Sequence, residues 1–371
     1  MQKLKKWVRA AMVAALLPLG IQGAQAQDAA SRGAILLGQS AALTGPDAAL
    51  ALPFAQGAKL YFDHVNASGG VNGREIRLNT LDDAGNPATA AANTKTLLAS
   101  GVLALFGYYG SPEVTASYEN IKDSDIILFA PMAAADELRG ALYPNIYSMR
   151  PGYSEEAAAI TKHAQMLGMR KLAIVHAKDP ESLAALDSAE RTMTSLGANL
   201  LAKVPMENID KALSAKPETV LVIGDFKAAA AAILALRAKG WRGPIYGFSN
   251  TGESLLAEQL GAAGAGVVVA RVTPKSDNAK SPLVRELQAD AAAAKLGKPN
   301  VYMLEGYLAA RAFSEALRRA GREPTRAKLR KAIEGMGNVD IGGFRVHFID
   351  DRVGSKLVEL SFIDSQGRVR E

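Results

Sequence analysis

The chain contains no cysteine, four histidines and two tryptophans among its 371 residues. Disulfides, thiolate metal sites and thiol nucleophiles are therefore excluded together, while an oxidising compartment stays open, because such compartments permit disulfides without requiring them. The histidines, His64, His163, His176 and His347, are scattered and none has the spacing of an HExxH pair. Each reads as a surface or packed residue. No segment approaches the ~20 apolar residues a membrane-spanning helix needs. The phosphate-binding pattern G-x-x-x-x-G-K-[ST] is missing. "GFSNTG" (247 to 252) has one residue too many for the nucleophile elbow G-x-S-x-G. "GAAGAGVVV" (261 to 269) precedes its apolar run, where a dinucleotide fingerprint must follow one, so it reads as a turn. Asp82 and Asp83 are neighbours that would point to opposite sides of an extended chain. Turn contacts explain them better than a shared acid/base role.

What is present begins with a leader. Basic "MQKLKKWVR", apolar "AAMVAALLPLGI" and "AQA" at 24 to 26 form the pattern of an export signal cleaved before Gln27. Four of the 43 basic residues lie in this leader and none of the 37 acids does, so the remaining 345 residues carry only +2. A nucleic-acid partner loses its support, since no long basic run remains. The expected location is the periplasm. A mature chain of this length exceeds what one core usually organises, and two lobes are expected.

Short β-rich runs alternate with amphipathic stretches, which predicts βα units on parallel sheets. The predicted strands are 34–38, 75–81, 102–107, 125–130, 171–177, 219–225, 244–248 and 266–272, several of them apolar throughout, as in strands covered on both faces. Leu50, Phe54, Ala58, Tyr61 and Val65 share one helical face, as do Val301, Leu304, Leu308, Ala312 and Ala316. The alanine-rich 227–240 follows Asp225 and stops at Gly240, the reading of a helix packed close to a sheet. After about Gly335, "IGGFRVHFIDDRVGSKLVELSFID" reads as two strands joined by a polar turn that can return to an earlier sheet.

"LALFGYYGSPEVTASYE" (103 to 119) carries the candidate site. Locally, Ser111 is an N-cap, Pro112 the first helical residue and Glu113 an acid in the first turn. An equally good reading has the amides and hydroxyl at this helix start receive a carboxylate, with Tyr108 and Tyr109 walling a pocket by their rings and polar tips. The residues alone leave both readings open.

The region from "GQSAALTGP" through "NASGGVNGR" and "LDDAGNP" to the glycine/serine loop at 107–111 resembles the extracytoplasmic solute-binding proteins of ABC importers of the leucine/isoleucine/valine-binding type. The likeness extends over the mature chain and is strongest from Ala34 to Pro151. It implies an α/β fold of two doubly wound, Rossmann-like lobes joined by a three-segment hinge, the type I periplasmic binding protein architecture. The implied lobes are 27–150 plus 274–355 and 151–273 plus 356–371. It implies a monomer without enzymatic activity or cofactor, holding a small organic solute with a carboxylate, whose partners are a permease and its ATPase at the inner membrane.

By the same resemblance, Ser111 and Gly110 lie in the loop that receives the ligand carboxylate. Met132, Ala133 and Ala134 form the neighbouring loop, Leu50 stands at an aromatic wall position, and Glu181, Asp225 and Ser249 face the ligand from the second lobe. The chain departs from the amino-acid binders of this type. Ala134 replaces a threonine, Ser249 stands where an acid would anchor the ammonium group, and tyrosines near Glu181 and Asp225 are missing. Gly85 and Gly110 occupy the positions of a cysteine pair found in some relatives. Two other readings follow: a ligand-sensing subunit for a membrane receptor on the same fold, and an exported hydrolase that would need Ser249 beside a histidine.

Overall fold

A computed structural model describes residues 33–349 and 352–370. The leader read over 1–26 lies outside them. In chain order the elements are β1 (Ile35–Ala41), α1 (Ala48–Ala67), β2 (Ile76–Asp82), α2 (Pro87–Ala99), β3 (Ala104–Phe106), α3 (Ser111–Tyr118), β4 (Leu128–Phe129) and β5 (Ile146–Tyr147). There follow α4 (Tyr153–Met166), β6 (Lys171–His176), α5 (Pro180–Ser195), β7 (Asn199–Pro205), α6 (Ile209–Ser214), β8 (Thr219–Ile223), α7 (Phe226–Ala238), β9 (Ile245–Gly247), α8 (Glu253–Leu260) and β10 (Val267–Arg271). The chain ends through α9 (Pro282–Ala293), α10 (Val301–Ala320), α11 (Arg326–Glu334), β11 (Val339–Asp340), β12 (Arg345–Val346), β13 (Glu359–Ile363) and β14 (Val369–Arg370).

Two sheets result. The first has the order β2-β1-β3-β4-β5 and is parallel throughout. In the second, β7-β6-β8-β9-β10 repeats that winding, and β13 and β14 extend it antiparallel beyond β10. All eight predicted strands are present. The late segment differs from its reading as one strand pair: β12 pairs with β11, whereas β13 joins β10. The stretch between them leads from the small β11–β12 pair to the second large sheet, so β12 and β13 form no hairpin. It runs beside an earlier crossing, where Ser148 N–H donates to Arg352 O at 2.7 Å and Gly354 N–H to Ser148 O at 2.8 Å.

The cores follow from the sequence pattern. Along β8, Val220 and Val222 enter one apolar cluster with Ala229 and Ile233 of α7, while Leu221 and Ile223 enter another with Ile160 of α4. That alternation is what a strand covered on both faces requires. In the first lobe, α1 and α10 cross so closely that a Cβ on Gly57 would fall inside the carbonyl oxygen of Met303, and one on Gly306 inside that of Phe54. The small residues let two long helices lie backbone to backbone. Around them Phe62, Phe106, Phe129 and Phe313 pack ring against ring, with centroids 5.2 to 6.3 Å apart.

Candidate functional site

In a doubly wound sheet the strand order reverses at one point, and the loops leaving the carboxyl ends of the strands there frame a crevice. In this chain β1 and β3 flank the reversal in the first sheet, β6 and β8 that in the second. The loops after them bring Ser111 together with Glu181, and Asp225 into electrostatic range of Asp47.

The loop after β3 owes its shape to pleat alternation. Tyr108 points inward: it is fully buried among Leu97, Val114 and Leu128, and its hydroxyl lies 3.0 Å from Thr94 Oγ1. It is a core residue and walls no cleft, a correction to its sequence reading. Tyr109 takes the other face and is half-buried, next to Asp47, Glu181 and Tyr302; burial and then the two carboxylates push its phenol well up. Gly110, at φ 84°, is the N-cap of α3, and a Cβ there would collide with the Glu113 carboxyl. Ser111 is thus the first helical residue and not the cap, because Gly110, at a positive φ that glycine adopts freely, already fills the cap position.

Ser111 does hold a carboxylate, and it is the protein's own. Its backbone N–H donates to Glu181 Oε2 at 2.8 Å and its hydroxyl to Oε1 at 3.0 Å. The hydroxyl of Tyr153 donates to the same Oε1 at 2.5 Å. Ser111 Oγ in turn accepts the N–H of Ala135 at 3.1 Å. Glu181 sits in the first turn of α5, which Asp179 caps by accepting Ser182 N–H at 2.9 Å. A residue expected to face the solute thus fills the seat expected for the solute's carboxylate.

The neighbouring loop is tied down by its backbone. Met132 bridges Tyr109, the Ala133 carbonyl accepts from Arg139 and that of Ala134 accepts Tyr153 N–H at 3.0 Å. Leu50 is buried in the first-lobe core with Phe54 and Phe129. Asp225 caps α7 through Ala228 N–H at 2.7 Å. Asp47 gathers acidic neighbours: burial, then Asp225, Asp179 and Glu181 from across the cleft and Asp83 from its own lobe, raise its carboxyl.

Ser249 repeats the Ser111 arrangement in the second lobe. It gives its N–H to Glu156 Oε2 at 2.7 Å and its hydroxyl to Oε1 at 2.8 Å, while Arg150 donates to that hydroxyl. Arg150 also lies 3.5 Å from Glu156 and 3.4 Å from Glu305, so its buried guanidinium touches α4 of one lobe and α10 of the other. Burial raises both carboxyls against the opposing pull of Arg150. No histidine joins Ser249: His163 bonds the Tyr246 hydroxyl, His64 meets Asp290, His176 lies against Ala177 O and His347 accepts Asn338 N–H. Sequence reasoning missed Arg150, Tyr153, Glu156 and Glu305. A charge within the buried stripe of α10 was the available signal, since Glu305 follows Leu304 and precedes Leu308 on that face.

This chain matches the periplasmic binding protein family over residues 34–358. It belongs to that family. The Leu/Ile/Val-binding protein of Rhizobium johnstonii is 26% identical over 301 residues, covering 77% of this chain and 80% of that protein. The crystal structure of an extracellular ligand-binding receptor from Verminephrobacter eiseniae superposes with a TM-score of 0.84 at 28% identity, covering 91% of this chain and 100% of that one. A substrate-binding periplasmic protein from Ralstonia solanacearum follows at 0.82 and 26%, covering 90% and 99%. The fold is therefore the two-lobed type I periplasmic binding protein, its location is extracytoplasmic, and its members bind ligands without converting them. Ser249 engaged by Glu156 and Arg150 agrees with a binder and not with a hydrolase.

Proposed function

We propose that this periplasmic binding protein is the capture subunit of an ABC importer, exported by its 1–26 leader. It takes an amino acid between its lobes by hinge closure and presents the closed form to a permease and its ATPase. The observation that carries this reading is the Ser111 seat, where a backbone N–H at 2.8 Å and a hydroxyl at 3.0 Å already grip a carboxylate across the lobes. Charge-assisted bonds of this kind are the strong ones, and they strengthen as the cleft excludes water. The relative named for leucine, isoleucine and valine supports the amino-acid class. Closure follows from differential affinity: a solute touching both lobes favours the closed state by the contacts the open state lacks.

Native mass spectrometry of protein purified from the periplasm without refolding, followed by calorimetry with leucine, glutamate, benzoate and short dicarboxylates, tests the reading. A co-purified amino acid and saturable amino-acid binding are expected. Tight benzoate or dicarboxylate binding with no response to any amino acid would replace the amino acid by a carboxylate lacking an amine, the reading that Ser249 at the ammonium-anchor position favours.

A further inference from the structure

Glu181 reaches from α5 of the second lobe onto Ser111 of the first, and three donors converge on its carboxylate: Ser111 N–H, Ser111 Oγ–H and the Tyr153 phenol. In this arrangement both Ser111 donors of the seat are engaged by Glu181. An incoming carboxylate must take the two Ser111 donors from Glu181. We propose that Glu181 is the selectivity residue of the cleft, displaced from Ser111 by the solute's carboxylate and re-paired with a cationic group on the same solute. This inference rests on the amino-acid reading above and adds which residue enforces it.

The charge balance argues for the exchange. Once displaced, Glu181 keeps only the Tyr153 hydroxyl among its three donors, and it stands in range of Asp47, itself facing Asp179 and Asp225. A solute that brings a carboxylate alone places a second negative charge beside this group and leaves Glu181 with the Tyr153 hydroxyl and only the longer-range attraction of Arg150. Removing the partner of a sequestered charge is costly, and like charges brought together in a dry site add to the cost. A solute with an ammonium group beside its carboxylate answers both charges at once: the seat still holds an anion, and Glu181 gains a cation in place of the two Ser111 donors it gives up. Discrimination of this kind works by penalising the wrong solute as much as by attracting the right one. A neutral amide at 181 removes both halves of the device.

The test is calorimetric titration of wild type and Glu181→Gln with the twenty protein amino acids and, for each that binds, its des-amino acid; for leucine the counterpart is 4-methylpentanoate. Wild type is expected to prefer the amino acid by about 100-fold or more, and Glu181→Gln to narrow that ratio at least tenfold, with the amino acid weakened and the des-amino acid strengthened. Glu181→Ala should move the ratio the same way. Small-angle scattering of the solute-free proteins adds a readout independent of any ligand: losing the contact to Ser111 should enlarge the radius of gyration of either variant. An unchanged ratio in a protein that binds amino acids would overturn the role of Glu181 while leaving the amino-acid reading intact. Failure of every amino acid to bind wild type would remove that reading, and the exchange with it.

Discussion

Nη1 of Arg150 lies 3.4 Å from Oε1 of Glu305, joining the first crossing between the lobes to the helix that carries the first-lobe core. Glu156 approaches the same guanidinium from the second lobe at 3.5 Å. One cation thus answers two carboxylates, all three sealed from water. Such a group stabilises little compared with an apolar replacement of the whole, yet removing one member leaves charge stranded. Arg150→Met should therefore cost about 3 to 5 kcal/mol in urea unfolding. Adding Glu156→Gln and Glu305→Gln to it should recover most of that loss. A single variant as stable as wild type would show that the charges are not buried in solution.

Gly57 and Gly306 mark the crossing of α1 and α10, where any Cβ meets a carbonyl oxygen of the opposite helix. Backbone carbonyls cannot rotate away as side chains can. Gly57→Ala should separate the helices and destabilise the protein by about 3 kcal/mol, at the upper end of overpacking costs, although alanine is the better helix former. Thermal unfolding checks it. A variant as stable as wild type would mean the helices can slide apart without loss.

Glu113 belongs to the acidic face of the cleft. Burial, and then the neighbouring Asp83, Glu181 and Asp47, push its carboxyl up to about 7, against the lowering effect of its own backbone N–H. Its ionised form is thus disfavoured in the fold. The penalty is absent below the ordinary carboxyl value near ~4.3, grows as pH rises through that value towards about 7, and is complete above. Glu113→Gln, which keeps the shape and lacks the charge, should match wild type at pH 4 and exceed it by about 2 kcal/mol at pH 8. Parallel denaturation curves at the two values decide it; equal stability at pH 8 would contradict a buried, disfavoured charge.

The strands and long helices were legible because each is an apolar run or a periodic face, and such patterns declare burial without reference to the rest of the chain. β5, with two residues, and β7, with most of its side chains only partly buried, carry no such pattern and escaped notice. Asp225, expected to face the ligand, caps α7 through Ala228 N–H, a task suited to its place between strand and helix. Tyr108 and Tyr109 were read as a pair because the sequence does not say which of two neighbours a pleat turns inward. Contacts that depend on the lobes meeting were out of reach: nothing local links Ser111 to Glu181, seventy residues on. The charges of Arg150 and Glu156 look like ordinary surface residues until the crossing segments bury them together, and Glu305 differs from them only in standing within an apolar helical stripe.

Ser111 Oγ both donates to Glu181 and accepts from Ala135 N–H, so Ser111→Ala removes one grip on a carboxylate and orphans one amide. A hydrogen bond to a charged group contributes about 1.5 to 3 kcal/mol. The same hydroxyl also serves Glu181, and part of the loss is therefore common to free and bound protein. Amino-acid affinity should fall by the lower part of that range, about tenfold, while the backbone N–H of residue 111 preserves residual binding. Titration of the variant beside wild type measures the difference. An unchanged affinity would leave Ser111 with the structural task of starting α3 and would place the solute's carboxylate elsewhere in the cleft.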